Sequence, residues 1–260
     1  MTFERRSLGR RGSALVSVTL ERAGFLAAFT ERTGGASAKP FDSLNVSFAV
    51  GDDPSAVSTN RERVVEGLGI PAFATAEQVH GARAVRVGAA RGGAGFADAG
   101  SRIPGADALF TSRANLPLAV LVADCLPVAM ASPRGGILAV VHAGWRGLAA
   151  GALGAAAAVF GDPADVVAAV GPAIGPCHYE VGEDVAVAVG KALGAGAVTE
   201  RRRGRLFLDL PGTARGALRA LGIRNVDVAG ICTACERGRF FSHRRDGPRT
   251  GRQALVGARR

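Results

Sequence analysis

Short apolar runs recur along the chain and outnumber its helical patterns, which limits the folds that the chain can adopt. Because the two kinds of element do not strictly alternate, the pattern predicts an α+β fold with mixed sheets rather than a regular βαβ repeat. The simplest interpretation is a single domain at 25–260, with 1–24 as a loose N-terminal segment. Strands are predicted at 82–88, 116–125, 136–144, 165–175, 205–210, 225–233 and 254–258, and helices at 53–69, 148–161, 182–194 and 211–222.

The composition narrows the class of protein. No stretch approaches about 18 uncharged apolar residues, so no membrane span is expected. Four cysteines without a signal peptide predict free thiols in a reducing cytoplasm. The net charge is +10, but the arginines are scattered and only one tyrosine and one tryptophan are present to stack bases. A nucleic-acid partner is therefore not expected, and the oligomeric state is left open.

A reactive thiol and an imidazole flank a turn in the segment 121–147, LVADCLPVAMASPRGGILAVVHAGWRG. The SPRG at 132–135 has turn chemistry, and a two-residue hairpin loop there would pair Cys125 with His142. Their Cβ atoms would then lie roughly 4.5–5.5 Å apart. Such a pair can share a metal or form a thiolate–imidazolium pair, although a slip of one residue would place the two on opposite faces.

A catalytic zinc site usually has three protein ligands and one open position. His80, just before a predicted strand and next to a glycine, is the best candidate for a third ligand. The CxxC at 232–235 can bind a metal with His243 or act as a redox pair, but ordinary buried thiols are the favoured interpretation. Cys177 and His178 lie in a segment that is rich in Gly-Pro pairs and is interpreted as a loop lining a pocket.

Eleven segments resemble, in order, the YfiH/laccase-domain family. ADCLP and HAGWRG at this spacing are very specific, and the resemblance runs from about residue 25 to the C-terminus. The family was formerly called multicopper polyphenol oxidoreductase and is now regarded as purine nucleoside phosphorylase. The resemblance implies layered mixed β-sheets flanked by helices, similar to cysteine-dependent toxin deamidases. The segments are TERTGGAS, FDSLNVS, GDDPSAVSTNRERV, EQVHG, ADALFT, LAVLVADCLPV, VHAGWRGLAAG, GPAIGPCHYEVG, LDL, CTAC and FFSHRRDGPRTGR.

The resemblance also implies a site and an activity. The family's zinc ligands fall on His80, Cys125 and His142, and copper can substitute for zinc at such a mixed N/S site. The implied reactions are phosphorolysis of adenosine, guanosine, inosine and methylthioadenosine, and deamination of adenosine. A three-ligand zinc can lower the pKa of a bound water to about 7, which suits attack at C6 of adenine. Asp124 is a candidate proton donor for the departing ammonia.

Phosphate and the nucleoside need polar groups of their own. Arg146 is predicted at a helix start, where both its guanidinium and the free N–H groups attract phosphate. Arg32 and Arg244 are further arginines of the family motifs, and Asn45 can bond a base or a ribose hydroxyl. Each has a structural alternative: Arg146 can pair with a carboxylate, Arg32 can cap a turn, and Asn45 can form an Asx turn.

Two other functions compete with this interpretation. A laccase-like copper oxidoreductase needs several His-rich copper sites, which the four histidines of the chain cannot supply. A metal-free cysteine hydrolase would use Cys125 as nucleophile and His142 as base, with no use for His80. Such a hydrolase fits the amide chemistry of peptidoglycan precursor editing, a role also attached to relatives in the family.

Overall fold

The computed structural model describes residues 2–9, 12–194 and 197–260. None of the helices in these ranges combines the length and apolar character that a membrane crossing needs. The strands are β1 (Phe3–Ser7), β2 (Ser13–Ser17), β3 (Phe25–Thr30), β4 (Ala84–Arg86), β5 (Ala108–Thr111), β6 (Leu118–Val122), β7 (Leu126–Ser132), β8 (Ile137–Ala143), β9 (Val167–Val170), β10 (Glu180–Val181), β11 (Thr199–Arg202), β12 (Arg205–Leu208), β13 (Asn225–Val228) and β14 (Gln253–Arg259). The α-helices are α1 (Val18–Arg22), α2 (Pro54–Leu68), α3 (Trp145–Ala149), α4 (Ala152–Ala157), α5 (Glu183–Leu193), α6 (Leu210–Ala220) and α7 (His243–Asp246).

These strands form two large sheets and a small one. The five-stranded sheet has the order β1-β2-β3-β14-β6 and is antiparallel throughout. The six-stranded sheet has the order β13-β9-β7-β8-β5-β4, and its outer pairs β13–β9 and β4–β5 are parallel. The small sheet has the order β10-β12-β11. The predicted α+β domain with mixed sheets is therefore confirmed.

The side chains of β7 show how the layers stack. Leu126, Val128 and Met130 pack in one apolar cluster with α3, α4, α5 and α6. Ala129 and Ala131 point the other way and pack against the five-stranded sheet, as the period of two in a strand requires. A third cluster joins α2 to the far face of that sheet. The order of layers is therefore α2, the five-stranded sheet, the six-stranded sheet, and the helices α3 to α6.

The predicted helices largely form. Asp53 is the N-cap of α2 and accepts a hydrogen bond from the backbone N–H of Ser55. The helix predicted at 148–161 is instead divided into α3 and α4, because Gly151 adopts a left-handed φ of 86° between them. Glycine tolerates this conformation, which ends one helix and begins the next.

The predicted hairpin forms, but its register is shifted by two residues. Pro127, rather than Cys125, lies opposite His142. A four-residue loop at 133–136 replaces the two-residue loop, because proline does not suit the tight turns of short hairpins. A shift of two preserves the face on which a side chain lies, and Cys125, directly before β7, still meets the imidazole of His142.

The N-terminal residues are part of the domain. Residues 2–9 and 12–24, which the sequence leaves as a loose segment, contribute β1, β2 and α1. Ala14 pairs with Thr30 across β2 and β3, and Leu20 of α1 is fully buried. The first strand is an exposed, charged edge, FERRS, which carries no apolar alternation for sequence reasoning to find.

Candidate active site

Three potential metal ligands meet where β7 begins and β8 ends. The ligand atoms of His80, Cys125 and His142 all lie within 4.8 Å of one another. Cys125 Sγ is 3.9 Å from His80 Nε2, and the two imidazole rings are 4.8 Å apart between centroids. His142 is buried, Cys125 is half-buried and His80 is exposed. The cluster thus has one side open to solvent, and the structure brings together the three residues predicted as ligands.

Asp107, directly before β5, organises this cluster. Its Oδ1 lies 2.8 Å from His142 Nδ1 and accepts the backbone N–H of His80 at 3.0 Å. Its Oδ2 accepts the backbone N–H groups of Gly81 and Val79 at 2.7 and 3.2 Å. One carboxylate therefore orients the His142 ring, leaves its Nε2 free for a metal, and holds the loop that carries His80. Carboxylates commonly orient metal-binding histidines in this way.

The backbone around the cluster is tightly constrained. His80 has a φ of 60°, which is uncommon for a residue with a side chain. Gly144 follows β8 and is the N-cap of α3. A Cβ atom at Gly144 would lie 2.9 Å from Cys125 Sγ and 3.4 Å from His80 Cδ2. Only glycine lets the chain pass this close to the ligands.

The electrostatics favour a charged pair. Burial alone would raise the pKa of the Cys125 thiol. His142 and His80 outweigh this effect and lower the pKa to about 6. Burial alone would lower the pKa of His142, but hydrogen bonds with Asp107 and Cys125 raise it to about 9. The two imidazoles therefore favour the thiolate of Cys125, the form that binds metals and attacks electrophiles.

The cluster opens into a cavity of about 520 Å³. This volume is within the range of small-molecule sites. Aromatic side chains of Trp145 and Tyr179 contribute to its wall. Its basic lining consists of Arg61, Arg102, Arg146, Arg244 and Arg252. A cavity with these walls is suited to an aromatic, anionic or phosphate-associated ligand.

Arg146, Arg244 and Asp124 all line the cavity. Arg146 is exposed on α3, stacks on Trp145 at 4.5 Å and has no carboxylate partner in the described part of the chain. Arg244 donates from Nη1 to the carbonyls of His178 and Glu180 at 3.2 and 2.9 Å. The guanidinium of Arg146 is thus the more available of the two for an anion.

Asp124 sits at a bend between β6 and β7, with a φ of 94°. Its Oδ1 accepts the hydroxyl of Thr233 at 2.6 Å, and its Oδ2 accepts the backbone N–H of Arg244 at 2.7 Å. The sequence would have placed Asp124 inside a strand that points it away from Cys125. The bend instead turns its carboxylate into the cavity wall.

Arg32 and Asn45 lie away from this cavity. The Arg32 guanidinium donates to the carbonyl of Asp42 at 2.9 and 2.6 Å and faces a separate surface pocket. Asn45 is fully buried, and its amide bonds Asp52 and the backbone of Ser47 and Arg252. The turn-forming alternatives account for the contacts of both residues, and neither side chain lines the cavity beside the cluster.

Sequence reasoning missed several groups of the site. Asp107 falls inside the ADALFT motif, but nothing local to that motif shows that its carboxylate meets His142. The sequence also does not single out Arg61, because an arginine in the helix α2 is expected to face solvent. It is fully buried and donates to the carbonyls of Val46 and Phe96 at 2.7 and 2.9 Å. For Asp107 the one available signal was an acidic residue before the short apolar run 108–110, which was not among the predicted strands.

The fold and this cluster define a layered α+β protein with a possible Cys–His metal site beside an arginine-lined cavity. The family model described as multi-copper polyphenol oxidoreductase laccase matches residues 26–259. The chain belongs to this YfiH/laccase-domain family.

Curated relatives and solved structures cover nearly the whole chain. The purine nucleoside phosphorylase YlmD of Geobacillus stearothermophilus is 39% identical over 250 residues, which are 91% of each chain. A purine nucleoside phosphorylase of Xylella fastidiosa is 43% identical over 233 residues, 85% of this chain and 87% of the relative. The crystal structure of YlmD aligns with a TM-score of 0.93 at 37% identity, covering 100% of this chain and 99% of that one. The Bacillus licheniformis protein YfiH aligns with a TM-score of 0.91 at 32% identity and covers 99% of both chains.

Proposed function

We propose that this chain is a zinc-dependent purine nucleoside phosphorylase that also deaminates adenosine. The observation that carries the proposal is the cluster of His80, Cys125 and His142 at the head of a cavity lined by arginines. Relatives over most of the chain bear the name purine nucleoside phosphorylase, which supports the reaction class. The proposed substrates are adenosine, guanosine, inosine and methylthioadenosine, together with phosphate.

The donor set fits a zinc ion. Two imidazole nitrogens and one thiolate are ligands that zinc prefers, and three protein ligands leave one position for water or substrate. When bound, zinc would act as a Lewis acid and lower the pKa of a coordinated water. Asp107 fixes the His142 tautomer, and the open side of the cluster faces the cavity. Copper can occupy the same ligands by substitution.

The side chains around the cavity supply the other requirements. Arg146 would hold phosphate, because its guanidinium can form paired hydrogen bonds with phosphate oxygens. In phosphorolysis a phosphate oxygen forms a bond to C1′ of the ribose, and the glycosidic bond breaks to release the purine. Trp145 and Tyr179 offer aromatic surfaces to the base. Asp124, fixed in the wall by Thr233, is proposed as the proton donor in deamination.

A second candidate is a cysteine hydrolase that acts on amides. The specific observation in its favour is the alignment of Cys125, His142 and Asp107 as nucleophile, base and orienting carboxylate. This arrangement follows the logic of catalytic triads. His80 separates the two candidates, because a hydrolase needs only the triad whereas the zinc site needs His80 as well.

The test is a metal-quantified assay of protein purified without added copper. Zinc is counted per chain, and adenosine and inosine are incubated with and without phosphate while products are followed by chromatography. We expect about one zinc at the His80 site and release of hypoxanthine from inosine only with phosphate. We also expect the deamination of adenosine to inosine to continue without phosphate.

Two variants test the roles proposed for His80 and Arg146 in the same assay. His80→Ala should lose the zinc of this site and nucleoside turnover together, and retained turnover without metal would favour the hydrolase. Arg146→Ala should raise the KM for phosphate roughly tenfold or more, since hydrogen bonds to charged groups contribute about 1.5–3 kcal/mol. Deamination should be affected less, and equal loss of both reactions would make Arg146 a structural residue.

A further inference from the structure

A second cluster of soft ligands lies beside the cavity, in residues that the proposed reaction does not use. Cys177, His178, Cys232 and Cys235 place one ligand atom each within 4.8 Å of all the others. Cys177 and His178 follow β9, and the two other cysteines form the CxxC after β13. All four cysteines of the chain are free thiols. His243, the partner considered for the CxxC from sequence, is not in the cluster, and the thiols are exposed or half-buried rather than buried.

The distances match a tetrahedral ion. Ligand atoms at the usual zinc distances and the tetrahedral angle lie about 3.6–3.8 Å apart. Cys177 Sγ and Cys235 Sγ are 3.4 Å apart. His178 Nδ1 is 3.4 Å from both of these sulfurs and 3.9 Å from Cys232 Sγ. The four ligand atoms therefore lie close to the corners of a tetrahedron around a single ion.

The surrounding backbone is built around these sulfurs. The backbone N–H of Gly175 donates to Cys232 Sγ at 3.3 Å. A Cβ atom at Gly175 would lie 3.2 Å from Cys232 Cβ and 3.5 Å from Cys177 Sγ. Glycine at this position lets the loop after β9 approach the turn after β13. A backbone N–H donated to a ligand sulfur also stabilises its thiolate form.

We propose that Cys177, His178, Cys232 and Cys235 form a second, structural zinc site. Three thiolates and one imidazole complete a tetrahedral Cys₃His set, which is typical of zinc sites that hold structure rather than perform chemistry. The four protein ligands leave no position for water or substrate. The ion joins the loop after β9 to the turn after β13, two segments that are far apart in the sequence.

This site supports one wall of the cavity. Tyr179, which lines the cavity, follows His178 directly. Thr233, between the two cysteines of the CxxC, donates to Asp124 at 2.6 Å. The carbonyl of His178 accepts a hydrogen bond from Arg244 at 3.2 Å. Loss of the ion should therefore loosen the positions of Asp124, Arg244 and Tyr179 without removing any of them.

The test counts zinc per chain in protein purified under reducing conditions. The wild-type chain should hold about two ions, and Cys125→Ser and Cys235→Ser should each hold about one. Cys125→Ser is the matched control, because it removes a thiol from the other cluster. Cobalt-substituted Cys125→Ser should keep the thiolate-to-metal charge-transfer absorption of a tetrahedral thiolate site, and further substitution of Cys235 should abolish it.

Stability gives an independent readout. Cys235→Ser should lower the Tm of the chain, and Cys235→His, which restores a ligand, should recover the second ion. The proposal is overturned if the wild type holds a single ion that disappears in Cys125→Ser and persists in Cys235→Ser. It is equally overturned if the Cys125→Ser chain is as stable in its reduced, metal-free form as in its zinc-loaded form. Failure of the nucleoside assay alone would leave this result unchanged.

Discussion

At the scale of single residues, one carboxylate does most to shape the candidate active site. Asp107 accepts the backbone N–H groups of Val79, His80 and Gly81 as well as bonding to the ring of His142. The two histidines come from different parts of the chain, and Asp107 sets the position of both. The relative position of the imidazoles therefore depends on this one residue, which itself binds no metal.

Asp107→Asn should weaken zinc binding at the His80 site by about 10- to 100-fold, as loss of a carboxylate behind a ligand histidine typically does. The amide has one acceptor oxygen and one NH₂ donor. If the oxygen keeps the bonds to His142 and the N–H of His80, the NH₂ group faces the N–H groups of Val79 and Gly81 and accepts neither. Competition with a chelator measures the affinity. Asp165→Asn is the matched control, because Asp165 accepts bonds from Ser132 and Arg134 and does not line the cavity. Unchanged affinity in Asp107→Asn would contradict the role given to Asp107.

At the scale of elements, the junctions between strands and helices create the site. β6 belongs to one large sheet and β7 to the other, and the bend at Asp124 connects them. Cys125 follows that bend, and His142 lies near the end of β8. Gly144 then turns the chain into α3, which carries Arg146. The ligands and the proposed phosphate-binding residue therefore depend on two adjacent junctions.

Gly144→Ala should reduce zinc affinity at the His80 site at least about tenfold, because the new Cβ would displace the Cys125 sulfur. The φ of Gly144 is −76°, so the backbone itself accepts alanine. Gly190→Ala in α5 is the control, since an added Cβ there meets no other atom. That control should keep its zinc and gain about 0.5–1 kcal/mol of stability. Zinc binding and stability can be measured on the same preparations, and wild-type affinity in Gly144→Ala would refute the steric argument.

The helices and strands were largely predictable from the sequence, whereas the contacts between residues of different elements were not. Periodicity and the Asp53 cap are local signals, and they identified α2, α5, α6 and several central strands. The hairpin brought Cys125 and His142 together even though its register was wrong by two, because the error preserved the face. Asp107 was missed because its bonds to His142 depend on how β5 pairs with β8. The contacts of Asn45 were not predictable, because a motif residue that bonds only backbone and a neighbouring carboxylate looks no different in sequence from a ligand.

At the scale of the whole molecule, an ion-pair group joins the first strand to a late segment of the chain. Glu31 is fully buried after β3. Its carboxylate accepts Nη2 of Arg5 at 2.8 Å and Nη2 of Arg239 at 2.6 Å. Burial alone would raise the pKa of Glu31, but the two guanidinium groups lower it below its usual value. The contribution of this group to stability is therefore complete above the usual pKa and is lost as the pH falls through the lower, folded-state value.

Glu31→Gln should lower the free energy of unfolding by about 1–3 kcal/mol at neutral pH, because a charge-assisted hydrogen-bond pair is lost. The difference from the wild type should narrow as the pH falls from the usual pKa of a glutamate through the lower pKa of folded Glu31. Urea unfolding at a series of pH values measures both effects. Glu200→Gln is the control, because Glu200 forms an exposed pair with Arg202 and should change stability little. A constant difference across the series would contradict the assignment to ionised Glu31.

The last strand has a consequence for synthesis of the protein. β14 lies between β3 and β6 and pairs with both, so residues 253–259 fill the interior of the five-stranded sheet. His80, Asp107, Cys125 and His142 all leave the ribosome well before that segment. The sheet behind them cannot be completed until residues 253–259 have also been synthesised, so a nascent chain that has only its ligands exposes its thiols on an incomplete sheet. Synthesis of β14, rather than emergence of the ligands, therefore determines when the site can become rigid.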